Sequence, residues 1–488
     1  MADASAETIK RLIENSEKGL EQIELSLPLI LEARQTICKL KGENKILDLM
    51  NIIFDILLAE NEVTYDLSAS LNSLLRAKDD YTKRFFMQIL NLCFCEACQL
   101  FVGENGDEES LLSQLVKRTN QLNLTGCEII TKHIIDDIHD FENVYACHEL
   151  RNITRHYDSP IKMYDKQHEL DNVDYYAKGV SQLLSIRTEL SVLSSYLLAL
   201  LTPIDEKYRS FIKDKRCTFD VKRQLNDAVF NAFNERELKD EVQRILEKGQ
   251  VSLDKCYAIY KNIKKTERFL EKQNLHIPEE CEKMESLTLM RMETLFLRYD
   301  VACSIWGYLN AVSDKERSQN LRLIHITKQA ALTHIYGYNE KARERSLWTK
   351  IKNMEESSNE SLNTLSIEAS LGKLTGNLSE DNNYSQIFAH YRHNHNYYIP
   401  DRLELFNNMD HYKELIDAMN LLKVCTTLEG YTASLLSIVE QNQRLERKSQ
   451  HEKWNRMIDD LVAKAGNDER IKEALKPFRN LIEIICRD

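Results

Sequence analysis

The segment HELRNITRHYDSP (148–160) brings together side chains suited to chemistry on a phosphodiester. On a helix, residues four apart share a face, so Asn152 and His156 form one stripe, and Arg151 and Arg155 form the neighbouring one. An imidazole that titrates near neutral pH can act as a general acid or base. A guanidinium binds phosphate oxygens and stabilises the charge that builds on them in a transition state. The segment therefore predicts a site that acts on phosphate esters.

RNA is the substrate that these groups would suffice to cleave, because its 2′-hydroxyl is a built-in nucleophile. Two-metal nucleases use metal ions to activate the attacking oxygen, and the sequence shows no carboxylate cluster of that kind. We therefore expect RNA as the partner, and no metal ion or other cofactor. The alternative is structural: Arg155 and His156 would lie at the C-terminal end of a helix, where the helix dipole favours cations.

The hexapeptide 151–156, RNITRH, resembles the R-x4-6-H signature of the HEPN superfamily (higher eukaryotes and prokaryotes nucleotide-binding), in its R-N-x-x-x-H form. The resemblance covers the motif and its flanking helices, about residues 124–201. It implies a small all-helical bundle, and many such bundles are metal-independent endoribonucleases of toxin–antitoxin, abortive-infection and CRISPR-linked systems. It also implies that two copies of the domain meet in a dimer or pseudo-dimer to build one RNA-cleaving cleft.

The resemblance assigns a role to each residue of the motif. His156 would be the acid–base residue, Arg151 would bind the scissile phosphate, Asn152 would orient one of them, and Arg155 would be an accessory substrate contact. The implied partners are RNA, a cognate protein inhibitor, and a second copy supplied by a homodimer or by an internal pseudo-dimer. The implied setting is bacterial toxin–antitoxin function or defence against phage.

A second candidate segment, HYRHNHNYYIP (390–400), departs from the signature. Arg392 aligns with Arg151, but a tyrosine stands where His156 would be. Either this copy is degenerate and keeps Arg392 as a phosphate contact, or His393 or His395 substitutes for the missing histidine. Three histidines within six residues can also supply metal ligands. We assign Arg392, His393 and His395 to substrate binding and predict no metal site.

The elements that position these residues are predicted to be helices. Apolar residues recur every three or four positions along most of the chain, as in KILDLMNIIFDILLAE (45–60). The chain has only 13 Gly and 6 Pro, well below average usage, which argues against loop-rich sandwiches and barrels. We predict an all-α protein of two tandem helical bundles with a helical C-terminal tail. Three cysteines in one apolar run (Cys93, Cys95 and Cys98) are predicted to be buried as small apolar side chains.

An internal repeat is the strongest organisational signal. Tyr65-Asp66 matches Tyr299-Asp300 at an offset of 234, and the same register aligns Gly103 with Gly337. At an offset of 241, Arg151 falls on Arg392 and Tyr157 on Tyr398. The alternative is that two amphipathic stretches align by chance. We predict a diverged duplication with an HEPN-like domain at 1–203, a degenerate HEPN-like domain at 204–440, and a charged helical tail at 441–488.

Charge and composition limit the classes of function. The net charge of −12 argues against a surface coated in basic residues for non-specific nucleic-acid binding, although a small basic pocket remains compatible with it. The N-terminus lacks a signal-peptide profile, and no apolar run approaches the roughly 18 residues of a membrane span. Twelve cysteines without a secretory signal indicate reduced thiols. We therefore expect a cytoplasmic protein that does not bind membranes.

Two functions are compatible with the sequence. The first is a metal-independent endoribonuclease of HEPN type. The alternative is a non-catalytic helical scaffold or binding protein that presents a groove to a protein partner. The sequence carries no GxGxxG, P-loop, nucleophile elbow or HExxH, which argues against nucleotide-dependent phosphoryl transfer, serine hydrolysis and zinc proteolysis.

Overall fold

A computed structural model describes the greater part of the chain. The described ranges are 29–39, 45–103, 110–124, 126–155, 157, 159–201, 235–272, 276–277, 279–337, 344–358 and 411–464, with isolated positions near the two ends; at some helical positions only the backbone is described. These residues form helices joined by short turns, and they contain no strand. The protein is all-α, which confirms the fold class predicted from the helical periodicity.

The helices follow one another with few residues between them inside each described range. In chain order they are α1 (Lys45–Arg76), α2 (Asp80–Val102), α3 (Leu111–Gln121), α4 (Cys127–Tyr145), α5 (His148–Arg155), α6 (Pro160–Glu169), α7 (Val173–Leu201), α8 (Glu235–Leu246), α9 (Gly249–Lys272), α10 (Glu279–Asn310), α11 (Asp314–Tyr336), α12 (Leu347–Ser358) and α13 (His411–Lys464). Residues 29–39 are helical as well.

Two helical hairpins have the same dimensions. α1 and α10 each have 32 residues, and α2 and α11 each have 23. All four boundaries of the second hairpin lie 234 residues after those of the first, which is the register that the sequence repeat predicted.

The ends of α2 and α11 are also built alike. Asp79 caps α2 by accepting from the backbone N–H of Thr82, and Ser313 caps α11 by accepting from that of Glu316. Both helices end at a glycine with positive φ, Gly103 at 74° and Gly337 at 79°, a conformation that favours glycine. These matches are what a duplication predicts for the two hairpins; the duplication of the whole chain stays a prediction.

The chain divides into two compact units. The first comprises residues 1–253 and 295–425, and the second comprises residues 254–294 and 426–488. This division reflects compactness and does not test the predicted domain boundaries after residues 203 and 440. Residues 202–234 lie outside the described part of the chain.

α2 is the central helix of the first unit. It packs against α1, α3, α4, α5 and α7. Phe94, fully buried on α2, lies 5.3 Å from the ring of Phe141 on α4 and 6.1 Å from the ring of Tyr176 on α7, measured between centroids. Aromatic burial of this kind contributes a large share of the energy that holds helices together.

The apolar composition of α2 follows from this position. By length and composition α2 is a helix that could cross a membrane, although no span was predicted from the apolar runs of the sequence. Within its most apolar 18-residue window, 83% of the residues are buried inside the protein. Core packing therefore accounts for the composition. Cys93, Cys95 and Cys98 are all buried on this helix, as predicted, and burial raises the pKa of each thiol, which keeps it protonated.

The second unit is held by polar contacts between helices as well as by apolar packing. Lys264 Nζ lies 2.5 Å from Glu285 Oε1 and 2.8 Å from Glu267 Oε2. The buried hydroxyls of Thr294 and Thr432 lie 3.4 Å apart. These contacts join α9, α10 and the later part of α13.

The packing around Phe94 yields a test. A Cβ at Gly179 of α7 would lie 2.8 Å from Phe94 Cζ and 2.9 Å from Tyr145 Cδ1, both on packed rings. We expect Gly179→Ala to lower the free energy of unfolding by about 1–3 kcal/mol through overpacking, measured by urea denaturation. The control is Gly430→Ala on α13, where a Cβ meets nothing within 4 Å; it should be neutral or stabilising, since Ala is the better helix former. Equal effects of the two substitutions would contradict this packing.

Candidate functional site

The motif helix α5 is anchored at its start by one side chain of α2. The amide of Asn91 donates to the carbonyl of Cys147 at 2.9 Å and accepts from the N–H of Cys147 at 2.9 Å. Asn91 is buried, so it satisfies two backbone groups in the turn that joins α4 to α5. Within α5, Arg151 N–H donates to Cys147 C=O at 3.1 Å. The beginning of the motif is therefore held against the central helix.

Arg151 points into the first unit. It is 4% exposed, and its Nη2 lies 3.2 Å from Oε1 of Glu96, a fully buried residue of α2. Burial raises the pKa of the neighbouring Cys95 thiol to about 12, against the opposing charge of Arg151. Burying a charge is costly unless it is paired, and here the two opposite charges lie within ion-pair distance of each other. The guanidinium therefore ties α5 to α2.

The structure describes only part of the predicted site. Asn152 is exposed on α5. The backbone of Arg155 is helical, but its side chain lies outside the described residues. The other four predicted residues, His156, Arg392, His393 and His395, also lie outside the described residues. The roles that the resemblance assigns to these residues stay predictions.

Tyr157 is the residue after the motif, and the motif itself did not predict a role for it. It is 4% exposed, and its hydroxyl donates to Oδ2 of Asp300 on α10 at 2.8 Å. Tyr81 of α2 donates to Oδ1 of the same carboxyl at 2.7 Å. The ring of Tyr157 lies 5.4 Å from that of His334 on α11. Both residues stood out in the sequence, because Asp300 aligns with Asp66 and Tyr157 aligns with Tyr398 in the internal repeat. The repeat indicated that these positions are related by duplication, but it did not indicate that Tyr157 and Asp300 are in contact.

Burial shifts the acidity of Asp300. It raises the pKa of this carboxyl from its ordinary value of 3.8 to about 7, although the hydroxyls of Tyr81 and Tyr157 both donate to it and so favour the charged form. The carboxyl therefore keeps its proton to a higher pH than an exposed aspartate does.

Asp66 of α1, the repeat equivalent of Asp300, also reaches the opposite hairpin. It accepts hydrogen bonds from Arg322 and Gln319 of α11. Burial raises the pKa of Asp66 to about 6, against the charge of Arg322. Each aspartate thus extends from the first helix of its own hairpin to the second helix of the other. The two hairpins are joined by reciprocal buried carboxylates.

A further buried ionic cluster joins α11 to α13 within the first unit. Glu414 Oε2 lies 2.7 Å from Lys328 Nζ and 3.0 Å from His325 Nδ1. Burial opposes ionisation of Glu414, but the hydrogen bond and charge of His325 and the charge of Lys328 together lower its pKa to about 2. The Glu414 carboxylate is therefore ionised, and its charge is balanced by Lys328 and His325. Such a buried ion cluster suits a structural role.

One group of side chains has the spacing of metal ligands among the described residues. His133 and Asp137 on α4 and Glu189 on α7 place their ligand atoms within 4.8 Å of one another. His133 and Glu189 are exposed, and His133 Nε2 lies 3.6 Å from Asp137 Oδ2. None of the three belongs to the motif. The group is compatible with an exposed ion pair on a helix surface, which needs no metal.

Comparisons with known proteins do not extend the assignment: no protein-family model, no curated protein and no solved structure matches the chain.

The pairing of Arg151 can be tested by substitution. Arg151→Met leaves the Glu96 carboxylate buried without its counter-charge, and we expect a loss of about 3–5 kcal/mol in the free energy of unfolding. The double variant Glu96→Gln/Arg151→Met should recover much of this loss, because a neutral amide needs no counter-charge. Chemical denaturation followed by circular dichroism measures both.

The matched control is Arg456→Met, which removes an exposed arginine that lies 3.7 Å from Glu452. It should unfold at the same denaturant concentration as the wild type, since exposed pairs contribute little. If Arg151→Met is as well tolerated as this control, the buried pair is wrong.

The pKa of Asp300 predicts a pH dependence of stability. Between its ordinary value of 3.8 and about 7, the folded protein holds a proton that the unfolded chain has released. Stability should therefore fall as pH rises through this window, by up to about 4 kcal/mol. Asp300→Asn reproduces the neutral form and should lack this component. The measurement is the difference in unfolding free energy between wild type and variant from pH 4.5 to 8, and a constant difference would contradict the raised pKa.

Proposed function

We propose that this protein is a metal-independent endoribonuclease of HEPN type that acts in bacterial toxin–antitoxin or anti-phage systems. The motif R-N-x-x-x-H (151–156) would form its active site. The proposal starts from the residue types of the motif, an imidazole and two guanidiniums, and from their resemblance to the HEPN signature.

The observation that carries the proposal is that the first residue of the motif and the residue that follows the motif are bonded to different hairpins. Arg151, its first residue, is paired with Glu96 of α2 in the first hairpin. Tyr157, the residue after its last, is bonded to Asp300 of α10 in the second hairpin. An HEPN active site requires its motif to lie where two helical copies meet, and these contacts agree with that requirement.

The likeness of the two hairpins supports an internal pseudo-dimer. Their helices share lengths and a register of 234 residues. Asp66 and Asp300, which are equivalent in that register, each bond to the second helix of the opposite hairpin. The exchange is reciprocal at the level of helices, although the partner residues of the two aspartates are not equivalent in that register.

The proposed reaction is cleavage of RNA by attack of its own 2′-hydroxyl. The neutral imidazole of His156 would accept the proton of an RNA 2′-hydroxyl while that oxygen attacks the adjacent phosphorus. The bond from phosphorus to the 5′-oxygen would break, and that oxygen would take up a proton from water while the imidazolium of His156 returns its proton to the solvent. The products are a 2′,3′-cyclic phosphate and a 5′-hydroxyl. Arg155, with Arg392, His393 and His395 from the second half, would contact the substrate, and the exposed amide of Asn152 would help to orient it.

One observation favours a second candidate, a non-catalytic helical scaffold. Arg151 is 4% exposed and paired with Glu96, so it can contact a scissile phosphate only if the guanidinium leaves or shares that partner. In a scaffold, Arg151 would simply hold α5 to the core. The two candidates differ in whether His156 is needed for any activity.

The nuclease proposal predicts cleavage of RNA by the purified full-length protein in the presence of EDTA. His156→Gln should reduce the rate by about 100-fold or more, the usual contribution of a general acid–base residue. The assay uses a fluorescently labelled, partly structured RNA under single-turnover conditions, with the termini of the products identified by mass spectrometry.

The control for loss of an imidazole is His139→Gln, which removes an exposed histidine on α4 beside Glu142. It should cleave like the wild type. If the wild-type protein cleaves no RNA, or if His156→Gln cleaves as fast as His139→Gln, the nuclease proposal is wrong and the scaffold is favoured.

A further inference from the structure

One face of α9 carries a row of exposed basic side chains. The helix has six basic and three acidic residues, whereas the whole chain has a net charge of −12. Residues that follow one another at intervals of three or four positions share one face of an α-helix. Four exposed cations have this spacing and form what we call the basic stripe: Lys261, Lys265, Arg268 and Lys272. At a rise of 1.5 Å per residue, the basic stripe is about 16 Å long.

The acidic residues of α9 do not neutralise the basic stripe. Glu267 is buried, and its Oε2 lies 2.8 Å from Nζ of Lys264, which also pairs with Glu285 of α10. Glu271 lies about 100° round the helix from the end of the stripe, and Asp254 lies about two turns before its beginning. Among the described residues, no carboxylate lies within ion-pair distance of the four cations of the stripe. Their positive charge is therefore available to a partner.

Aromatic rings accompany the cations near both ends of the basic stripe. Phe269 is 61% exposed, follows Arg268 in the chain and lies one turn after Lys265. Near the other end, Lys261 Nζ lies 4.4 Å from the ring centroid of Tyr257, a contact that attracts the cation to the ring. Surfaces that bind single-stranded nucleic acid combine cations that contact the phosphates with exposed rings that stack on the bases. This face of α9 has both components.

We propose that the basic stripe and Phe269 form a docking surface for single-stranded RNA. The cations of the stripe would contact phosphates along the strand, and the ring of Phe269 would stack on a base. The net charge of −12 repels polyanions at long range, so RNA needs a place where the local charge is reversed. The choice of RNA as the ligand rests on the proposed function. The surface belongs to the second unit, whereas the motif belongs to the first.

The first test removes three charges from the basic stripe. Binding of a fluorescein-labelled oligoadenylate to the full-length protein is measured by fluorescence anisotropy at several salt concentrations, in the His156→Gln background so that cleavage does not interfere. Each phosphate contact on a single strand contributes about 0.7 to the slope of log K against log salt concentration. The triple variant Lys265→Gln/Arg268→Gln/Lys272→Gln should therefore lower this slope by about 2 and weaken binding by about tenfold or more.

The matched control removes three charges from other helices of the protein. The variant Lys117→Gln/Lys132→Gln/Lys178→Gln changes exposed lysines on α3, α4 and α7. It should keep the salt dependence and affinity of the unmodified stripe. Both triple variants alter exposed side chains only, and circular dichroism checks that they fold alike. Equal losses of binding in the two variants, or no RNA binding before any lysine is changed, would overturn the docking surface.

The second test separates base stacking from charge. Phe269→Ala should weaken binding of the oligoadenylate by about tenfold, the usual contribution of a stacked base. It should leave binding of inorganic polyphosphate unchanged, because this polyanion has no bases. An unchanged affinity for the oligoadenylate would overturn the role of Phe269. If the stripe variant loses binding to vesicles that contain phosphatidylserine but keeps its affinity for RNA, the surface binds anionic lipid and the proposal is wrong.

The docking surface and the proposed function can fail separately. A wild type that binds RNA through the basic stripe but cleaves none would overturn the nuclease proposal and leave the docking surface standing. Cleavage by the wild type, with RNA affinity that is the same in both triple variants, would overturn the docking surface and leave the nuclease proposal standing.

Discussion

The structure of the first unit depends on carboxylates that are buried between two helical hairpins. Asp66 and Asp300 occupy equivalent positions on α1 and α10, and each is bonded to a helix of the opposite hairpin. A buried carboxylate without partners is strongly destabilising, so each aspartate favours the one docking arrangement in which its donors are present. Apolar burial is not directional and so discriminates weakly between helix registers. The buried polar contacts favour the register in which their donors are present.

The same contacts explain why the motif cannot be considered apart from the rest of the chain. α5 has only eight residues, too few to be stable by itself. Asn91 and Glu96 of α2 hold the start of α5. Asp300 of α10 bonds to Tyr157, the residue that follows the motif. A short helix placed by partners on both hairpins can present its side chains with a precision that its own hydrogen bonds would not provide.

The local sequence pattern predicted which segments are helices, but it did not predict which residues pair between helices. The helical period and the scarcity of Gly and Pro predicted an all-α fold. The 234-residue register that aligns Tyr65-Asp66 with Tyr299-Asp300 also relates the helix boundaries of the two hairpins, although the sequence did not predict the hairpins themselves. The pairing of Arg151 with Glu96 was not predicted, because the two residues are 55 positions apart. A signal was present for Glu96, which is a single charge within the apolar run that holds Cys95 and Cys98. Separation along the chain is also why Asp300 was recognised as a repeat marker and not as the partner of Tyr157. Periodicity reports which face of a helix is buried, but it does not identify the buried polar residue on the facing helix.

The two hydrogen bonds between Asn91 and the backbone of Cys147 provide a sequence criterion for finding distant homologues of this protein. The amide of Asn91 offers both a donor and an acceptor, which bond to the C=O and the N–H of Cys147; an aspartate carboxylate at this position would lose the first bond, and leucine would lose both. Asn91 and Glu96 therefore form an upstream pair, Asn-x4-Glu, that serves the hexapeptide beginning at residue 151. A pattern that joins this pair to R-N-x-x-x-H across some fifty intervening residues is far more selective than the hexapeptide alone. Distant homologues that have diverged everywhere else should retain both parts together.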